Sequence, residues 1–338
     1  MLVKSSTELV RQQNSALVLA SLRRHGPLAH TDISHHTGLA SATVSAITAE
    51  LEKAEVLERR EQQASASRGR PRVIFGQRRG AGYLVTVRIS SDIVQYSLAD
   101  YGGTLLDRFE EPRNHADATT KPFADAFVAA LDRLASRSRI ERDQVLVVSI
   151  SSKGLVDPAS SRLVWSPVFG AQQVDFAALL QPHWRAKILL SNETLLVAHA
   201  MAQRMEKAGA KNLQAVAALS LGHSIGLGIA RFERTGELTV TAPNFGHMLN
   251  SSDGKLCRCG SQGCIEASAG FYGILRTAFE VPPDTIPAKF VPLAEMDKIA
   301  LRARQGHRMS EYAFRQAGLA LGQGLSRMVS LYENMPIA

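Results

Sequence analysis

The sequence predicts an α/β protein: an N-terminal winged helix-turn-helix, then two α/β lobes facing each other across a cleft. Three observations lead there. Residues 1–80 read as three helices followed by a basic hairpin. From Gly82 the order is strand, strand, strand, helix, strand, and a similar order restarts near residue 187. All three cysteines fall between 257 and 264, in a glycine-rich stretch. With 338 residues, the chain has room for two or three domains of about 150 residues each, and its 45% hydrophobic content is enough for real cores. The expected boundaries are 1–80, 81–186 and 187–338.

Charge is unevenly spread. The formal net charge is +8, and residues 1–80 carry 12 Lys/Arg against 7 Asp/Glu, so +5 of it lies in the first quarter. That asymmetry points to nucleic acid as a partner of the N-terminus. "MLVKSSTELVRQQNS" lacks the charged-then-apolar pattern of a signal peptide, and no run of 18 apolar residues is long enough to span a membrane. The chain reads as cytoplasmic.

The first helix, "TELVRQQNSALVLASLRRHGP", stops at Gly26-Pro27. Thr31 is a plausible N-cap for the second, in "LAHTDISHHTG", which Gly38 ends. Ser41 can cap the third, "LASATVSAITAELEKAEVL". There Val44, Ile47 and Leu51 make one buried stripe. Ser41, Thr43, Ser45 and Thr48 are small polar groups able to enter a major groove. Two helices joined by a short glycine turn form a helix-turn-helix whose later helix reads DNA. "LERREQQASASRGRPRVIFG" then reads as a hairpin wing whose Arg68, Arg70 and Arg72 can meet phosphates or a narrow minor groove. The alternative is a three-helix packing domain with a solvated basic loop. His25, His30, His35 and His36 read as surface residues.

In the first lobe "GYLVTVRIS", "IVQYSLAD" and "TLLDRFEEP" are strands, with "DYGGT" a tight turn between the second and third. "KPFADAFVAALDRLASRS" is a helix and "QVLVVSIS" a strand. The second cycle is "KILLSNE", a helix over 194–208, "LQAVAALSLG", "SIGLGIARFER" and "GELTV". Ligands favour the cleft between two such lobes.

Three cysteines cannot form a closed set of disulfides, and clustered cysteines in a cytoplasmic chain more often bind metal than pair. Thiolates suit zinc, which takes four N or S ligands. Cys257, Cys259 and Cys264 supply three, and His247 in "NFGHMLN" is the nearest upstream candidate for the fourth. Gly260 and Gly263 let the backbone turn tightly enough for the sulfurs to converge. Four protein ligands make a structural zinc, one that holds a loop. A redox-active cluster or plain buried thiols are the other readings.

"GHMLNSSDGKLCRCGSQGCIE", "LSLGHSIGLGIA" upstream of it, "SKGLVDP" and "SNE" together resemble the ROK family of bacterial sugar kinases and sugar-responsive repressors. The likeness runs over nearly the whole chain, and the N-terminal head looks like that of the repressor branch, which includes xylose and N-acetylglucosamine repressors. It implies a two-lobed actin/hexokinase-like (ribonuclease H-like) fold, with a zinc at His247, Cys257, Cys259 and Cys264 that buttresses a sugar site. By the same resemblance Gly154, Asn192, Glu193, Asn244, His247 and Glu266 line that site. Carboxylates and amides suit sugars because each hydroxyl both donates and accepts.

Three departures bear on activity. The kinase members carry an acid and a Gly-Gly-Thr turn in the first strand, to place Mg²⁺ and approach phosphate. Here "VRISSD" puts Arg88, Ser90 and Ser91 there. The second phosphate loop, "GHSIGLG", keeps Gly222, Gly226 and Gly228 but includes His223 and Leu227. The family's Asn-Asp pair appears as Asn192-Glu193, moving the base outward by about one C–C bond, which matters for proton transfer over 2.6–3.2 Å. Glu193 can also be read as a solvated surface carboxylate. Asn244 stands where the family usually has Glu. The resemblance further leads to an expected strand, glycine-rich turn and helix after "YENMPIA". The expected function is a transcriptional repressor, not an enzyme. It would be a homodimer or homotetramer that binds a palindromic operator in double-stranded DNA and responds to a sugar or sugar derivative. The alternatives are a ligand-independent regulator with a decayed sugar site, or an active ROK kinase.

Overall fold

A computed structural model gives the fold and describes residues 6–61, 73–113, 120–157, 159–169, 172–210, 213–233, 238–288, 290–332 and 335–338. The head contains α1 (Ser6–His25), α2 (His30–Thr37) and α3 (Ser41–Lys53), then the antiparallel pair β1 (Leu57–Glu61) and β2 (Val73–Gln77). Val18, Leu22, Ile33, Val44, Ile47, Leu57 and Phe75 close one small core over all five elements. The helix starts differ from expectation. Asp32 accepts the Ala29 N–H at 3.4 Å, so α2 starts at His30 with Ala29 as its cap and Thr31 inside the first turn. The Ala40 carbonyl accepts the Val44 N–H, so Ser41 is the first residue of α3 and not its cap. Gly38 ends α2 in a left-handed conformation, with φ +70°.

The first lobe alternates as its sequence does. In β3 (Tyr83–Ile89), Val85, Val87 and Ile89 are buried while Thr86 and Arg88 face out. β4 (Ile93–Asp100) and β5 (Leu105–Pro112) follow antiparallel, joined by a turn in which Asp100 accepts the Thr104 N–H at 2.8 Å. Then come α4 (Thr120–Arg137) and β6 (Val145–Ser152), parallel to β3. A small sheet, β7 (Leu155–Asp157), β8 (Arg162–Trp165) and β9 (Val174–Asp175), leads through α5 (Phe176–Leu180) to β10 (Lys187–Asn192). The large sheet runs β10-β6-β3-β4-β5. β10 therefore pairs in parallel with β6 at the edge of the first sheet, and Ile188 and Leu190 join the first core. Expecting the second lobe to open at 187 misplaces this strand.

The chain crosses at α6 (Glu193–Lys207), whose Ala198 and Ala202 pack on the second sheet. That sheet is β11 (Ala215–Ser220), β12 (Gly226–Phe232) and β13 (Leu238–Thr241), with Ile337 bridging in parallel to Ala217 on the free side of β11. The Ala217 N–H donates to the Pro336 carbonyl and the Leu219 N–H to the Ala338 carbonyl, so residues 336–338 lie along β11; the strand, turn and helix expected after "YENMPIA" fall beyond residue 338. The second core lies between this sheet and α7 (Ile265–Ala269), α8 (Phe271–Ala278), α9 (Leu293–Arg304) and α10 (Arg308–Leu331). Arg24 of α1 pairs with Glu206 near the end of α6, and Arg79 reaches Asp100 at 3.8 Å, so the head touches both lobes. Among the described residues no helix is long and apolar enough to cross a membrane.

Candidate functional site

The outward face of α3 consists of Ser41, Ala42, Ser45, Ala46 and Ala49, all exposed. This is helical spacing, and the alanine methyls suit contact with thymine methyls. Sequence reasoning passed over those alanines because it looked for polar groups. Thr43 is half-buried. Thr48 is the correction: it is fully buried. Its hydroxyl donates to the Val44 carbonyl at 2.9 Å and meets His30 Nε2 at 2.8 Å. The His30 ring stacks on Phe75 at 4.6 Å, and burial, then Arg59, lowers its pKa. Thr48 and His30 thus lock α3 to α2 and the wing, and neither is free to read DNA. Thr48→Val keeps the shape but leaves His30 without its partner. We expect a stability loss of about 1–2 kcal/mol, measured by urea unfolding. An unchanged midpoint would mean the lock carries no energy. Arg68, Arg70 and Arg72 lie outside the described residues.

Between the lobes is a cavity of about 450 Å³. Gly154, Asn192, Asn244, His247 and Glu266 all line it. Glu193 does not: it forms an ion pair with Arg88 at 2.6 Å. Arg88 and Glu193 are 105 residues apart, a separation no local pattern reveals. Asn192 ends β10 and caps α6. Its Oδ1 accepts the Thr194 N–H at 2.8 Å, and its Nδ2 donates to the Gly154 carbonyl at 2.7 Å. Gly154 has φ +126°, and a Cβ there would fall 2.1 Å from the Trp165 carbonyl, so only glycine fits. Glu266 accepts the Ile225 N–H at 3.0 Å. Burial raises its pKa in spite of nearby His247. Lys153 and Trp165 are among the lining residues that escaped the sequence reading; the Trp165 ring stands edge-on to His247 at 6.1 Å. Lys153 sits inside the "SKGLVDP" stretch, so its place beside Gly154 was the available signal.

The expected phosphate loops are altered in space as well. Ser90 donates to Asp92 at 2.7 Å and closes the β3–β4 turn. Burial works against ionisation of Asp92, but that hydrogen bond and backbone N–H groups hold its pKa below the usual value. A Cβ on Gly228 would fall 2.5 Å from the Thr194 carbonyl, and one on Gly226 2.6 Å from the Thr194 hydroxyl. These two glycines make room for α6. His223 bonds the Val291 carbonyl at 2.8 Å and stacks on Phe290.

His247, Cys257, Cys259 and Cys264 converge, with ligand atoms within 4.8 Å of one another, and could hold a metal ion. Cys259 and Cys264 sulfurs are 3.8 Å apart, and Cys257 Sγ is 3.5 Å from His247 Nδ1. A tetrahedral zinc sets two sulfurs about 3.8 Å apart, and a sulfur and a ring nitrogen about 3.6 Å apart. The donor set and its spacing are consistent with a zinc site. Gly263 makes the loop possible: at φ +76°, a Cβ would lie 1.8 Å from the Ser251 carbonyl. Buried Arg276 braces the loop from below, donating to the Leu256 and Thr285 carbonyls at 3.0 and 2.8 Å. Burial pushes the Cys257 thiol well up and the Cys264 thiol to about 11. Cys259 is also desolvated, yet hydrogen bonds from Ser261 bring it down. A metal held by all three displaces those protons.

A protein-family model described as the ROK family matches residues 86–337, and one described as the MarR family matches residues 12–65. The chain is 22% identical over 334 residues to the DNA-binding transcriptional repressor Mlc of Escherichia coli K12, covering 97% of this chain and 80% of that protein. It is 23% identical to the xylose repressor of Bacillus subtilis strain 168, covering 96% and 80%. Among solved structures, a ROK family transcriptional regulator homologous to E. coli Mlc superposes with a TM-score of 0.72 at 20% identity, covering 97% of this chain and 82% of that one. A ROK family glucokinase from Streptomyces griseus, in complex with glucose and AMPPNP, superposes with a TM-score of 0.53 at 24% identity, covering 75% and 80%. The first match spans head and body; the kinase match covers three-quarters of the chain. A family model covering residues 86–337, on a two-lobed body with a His/Cys cluster beside its cleft, makes this chain a member of the ROK family.

Proposed function

We propose that this chain is a transcriptional repressor that binds double-stranded DNA and releases it in response to a sugar or sugar derivative held between the lobes. The observation that carries the reading is the pairing of Arg88 with Glu193 on a body that bears a winged-helix head. A cation sits where a kinase needs a metal-binding acid, and it engages the carboxylate that would serve as base. We therefore read the cleft as binding without phosphoryl transfer.

Ser41, Thr43 and Ser45 on α3 and Arg68, Arg70 and Arg72 in the wing are the proposed DNA contacts. Two heads related by a two-fold axis would read a palindromic operator with half-sites one or two helical turns apart. That geometry asks for a homodimer or homotetramer in the cytoplasm. Gly154, Asn192, Asn244, His247 and Glu266 are the proposed effector contacts. Glu193 enters that set only if Arg88 releases it. Zinc is the proposed metal, held by His247, Cys257, Cys259 and Cys264. With four protein ligands it holds the loop and leaves His247 Nε2 for the effector.

The test is fluorescence anisotropy of the purified chain on DNA from upstream of its own gene, at fixed salt, with and without a panel of sugars. Tight binding relieved by one sugar is the expected result. Tight binding that no sugar alters would favour a ligand-independent regulator. In the same assay Arg70→Ala should weaken binding and reduce the salt slope by about one. Unchanged affinity and slope would remove the wing from the DNA contacts.

A further inference from the structure

We infer that the interlobe cavity takes a sugar derivative carrying an anionic group, a carboxylate or a phosphate, and that Lys153 holds that group. The inference rests on the effector-site reading above and adds the chemical class of the effector.

Lys153 follows the last residue of β6, at the carboxyl ends of the parallel strands, where ligands of α/β sheets gather. It lines the cavity half-buried, and among the described residues its ammonium makes no hydrogen bond or ion pair. The other charges at this edge are committed. Arg88, level with Ser151 on the neighbouring strand, holds Glu193 at 2.6 Å. Asp92 accepts the Ser90 hydroxyl at 2.7 Å. Glu266 is the only carboxylate among the described residues that line the cavity, and it accepts the Ile225 N–H. Arg258 and Lys153 both lie near enough to Glu266 to favour its ionised form, so two cations share the one cavity carboxylate.

The rest of the lining is neutral. Asn192, Asn244, Ser220 and Ser224 offer donors and acceptors suited to hydroxyls, and Trp165 offers an apolar wall. A neutral sugar satisfies these groups and leaves the excess positive charge of Lys153 uncompensated inside a partly enclosed, weakly screened space. A ligand with a carboxylate or phosphate at that end supplies the partner through a charge-assisted hydrogen bond, stronger than any hydroxyl can make. A site built around such a group discriminates against the analogue that lacks it.

The test is calorimetry on the full, metal-loaded chain. The ligands are neutral hexoses, pentoses and amino sugars, each beside its uronate, aldonate and 6-phosphate counterparts. One acidic ligand should bind at least about tenfold tighter than its neutral parent, and the advantage should shrink as salt rises. Lys153→Met should abolish the advantage and Lys153→Arg should keep it, which guards against a folding defect. The uronate, aldonate and phosphate arms identify the anion. If a neutral sugar binds as tightly as its acidic forms, or Lys153→Met keeps the preference, the inference is wrong and the effector-site reading stands. If nothing in the panel binds the wild type, the effector-site reading fails and takes this inference with it.

Discussion

Ser45→Glu should lower affinity for DNA from upstream of the protein's own gene by about a thousandfold, the usual gap between specific and non-specific binding at its lower end. Ser45 is exposed near the middle of the α3 face, flanked by Ala42, Ala46 and Ala49. A carboxylate there meets a groove lined by phosphates and carbonyl oxygens, and it adds both repulsion and bulk. The head core of Val18, Ile33, Val44 and Phe75 lies on the other side, so folding is unaffected. Anisotropy measures the loss, and a thermal melt identical to wild type isolates it to the interface. If Ser45→Glu bound the fragment as tightly as wild type, α3 would not be the reading helix.

Cys264→Ser should carry the other large effect. It removes one of four ligands from a cluster whose spacings match tetrahedral zinc. Structural zinc contributes on the order of 10 kcal/mol in small zinc-finger peptides. Within a body that has a large core of its own, a loss of about 4 kcal/mol is expected. At 338 residues that lowers the melting temperature by roughly 6 °C. Any response of DNA binding to an effector should also vanish. Glu266 sits two residues beyond Cys264 in a helix that starts at Ile265, so the loop and that cavity carboxylate shift together. Metal analysis of the purified protein should give one zinc per chain for wild type and well under one for the variant. An equal melting temperature in both proteins would overturn the structural role of the cluster.

How far each feature could be read ahead of the structure depended on how local its cause was. β3 alternates buried and exposed residues from Val85 to Ile89, and β5 alternates half-buried and exposed ones from Leu106 to Pro112; alternation is written in adjacent positions. The metal cluster was legible because three ligands fall between 257 and 264. β10 was recognisable as a strand, but nothing in "KILLSN" says which sheet will accept it. Its partner β6 is set by register along Val147 to Ser152. Thr48 was misjudged because a threonine looks polar, yet in a helix its hydroxyl can bond back to the carbonyl four residues earlier. Its position on the Val44–Ile47–Leu51 stripe was the better guide. Glu193 kept its sequence position beside Asn192 and lost its expected role to Arg88, a partner that only the tertiary fold brings close.

One helix runs from the cavity to the head. α6 begins at the cavity, where Asn192 caps it and Thr194 lines the wall, and ends where Glu206 meets Arg24 of the head. Its 15 residues make a rod about 22 Å long. Pivoted at the cleft by 5°, such a rod sweeps its far end through about 2 Å, enough to part an ion pair. The joint it would break is cheap. Arg24 and Glu206 are 48% and 36% exposed, and pairs this wet contribute at most about 1 kcal/mol. That one joint is therefore worth less free energy than the 1–3 kcal/mol over which ligands commonly couple. A stronger clasp would have made the head rigid and deaf.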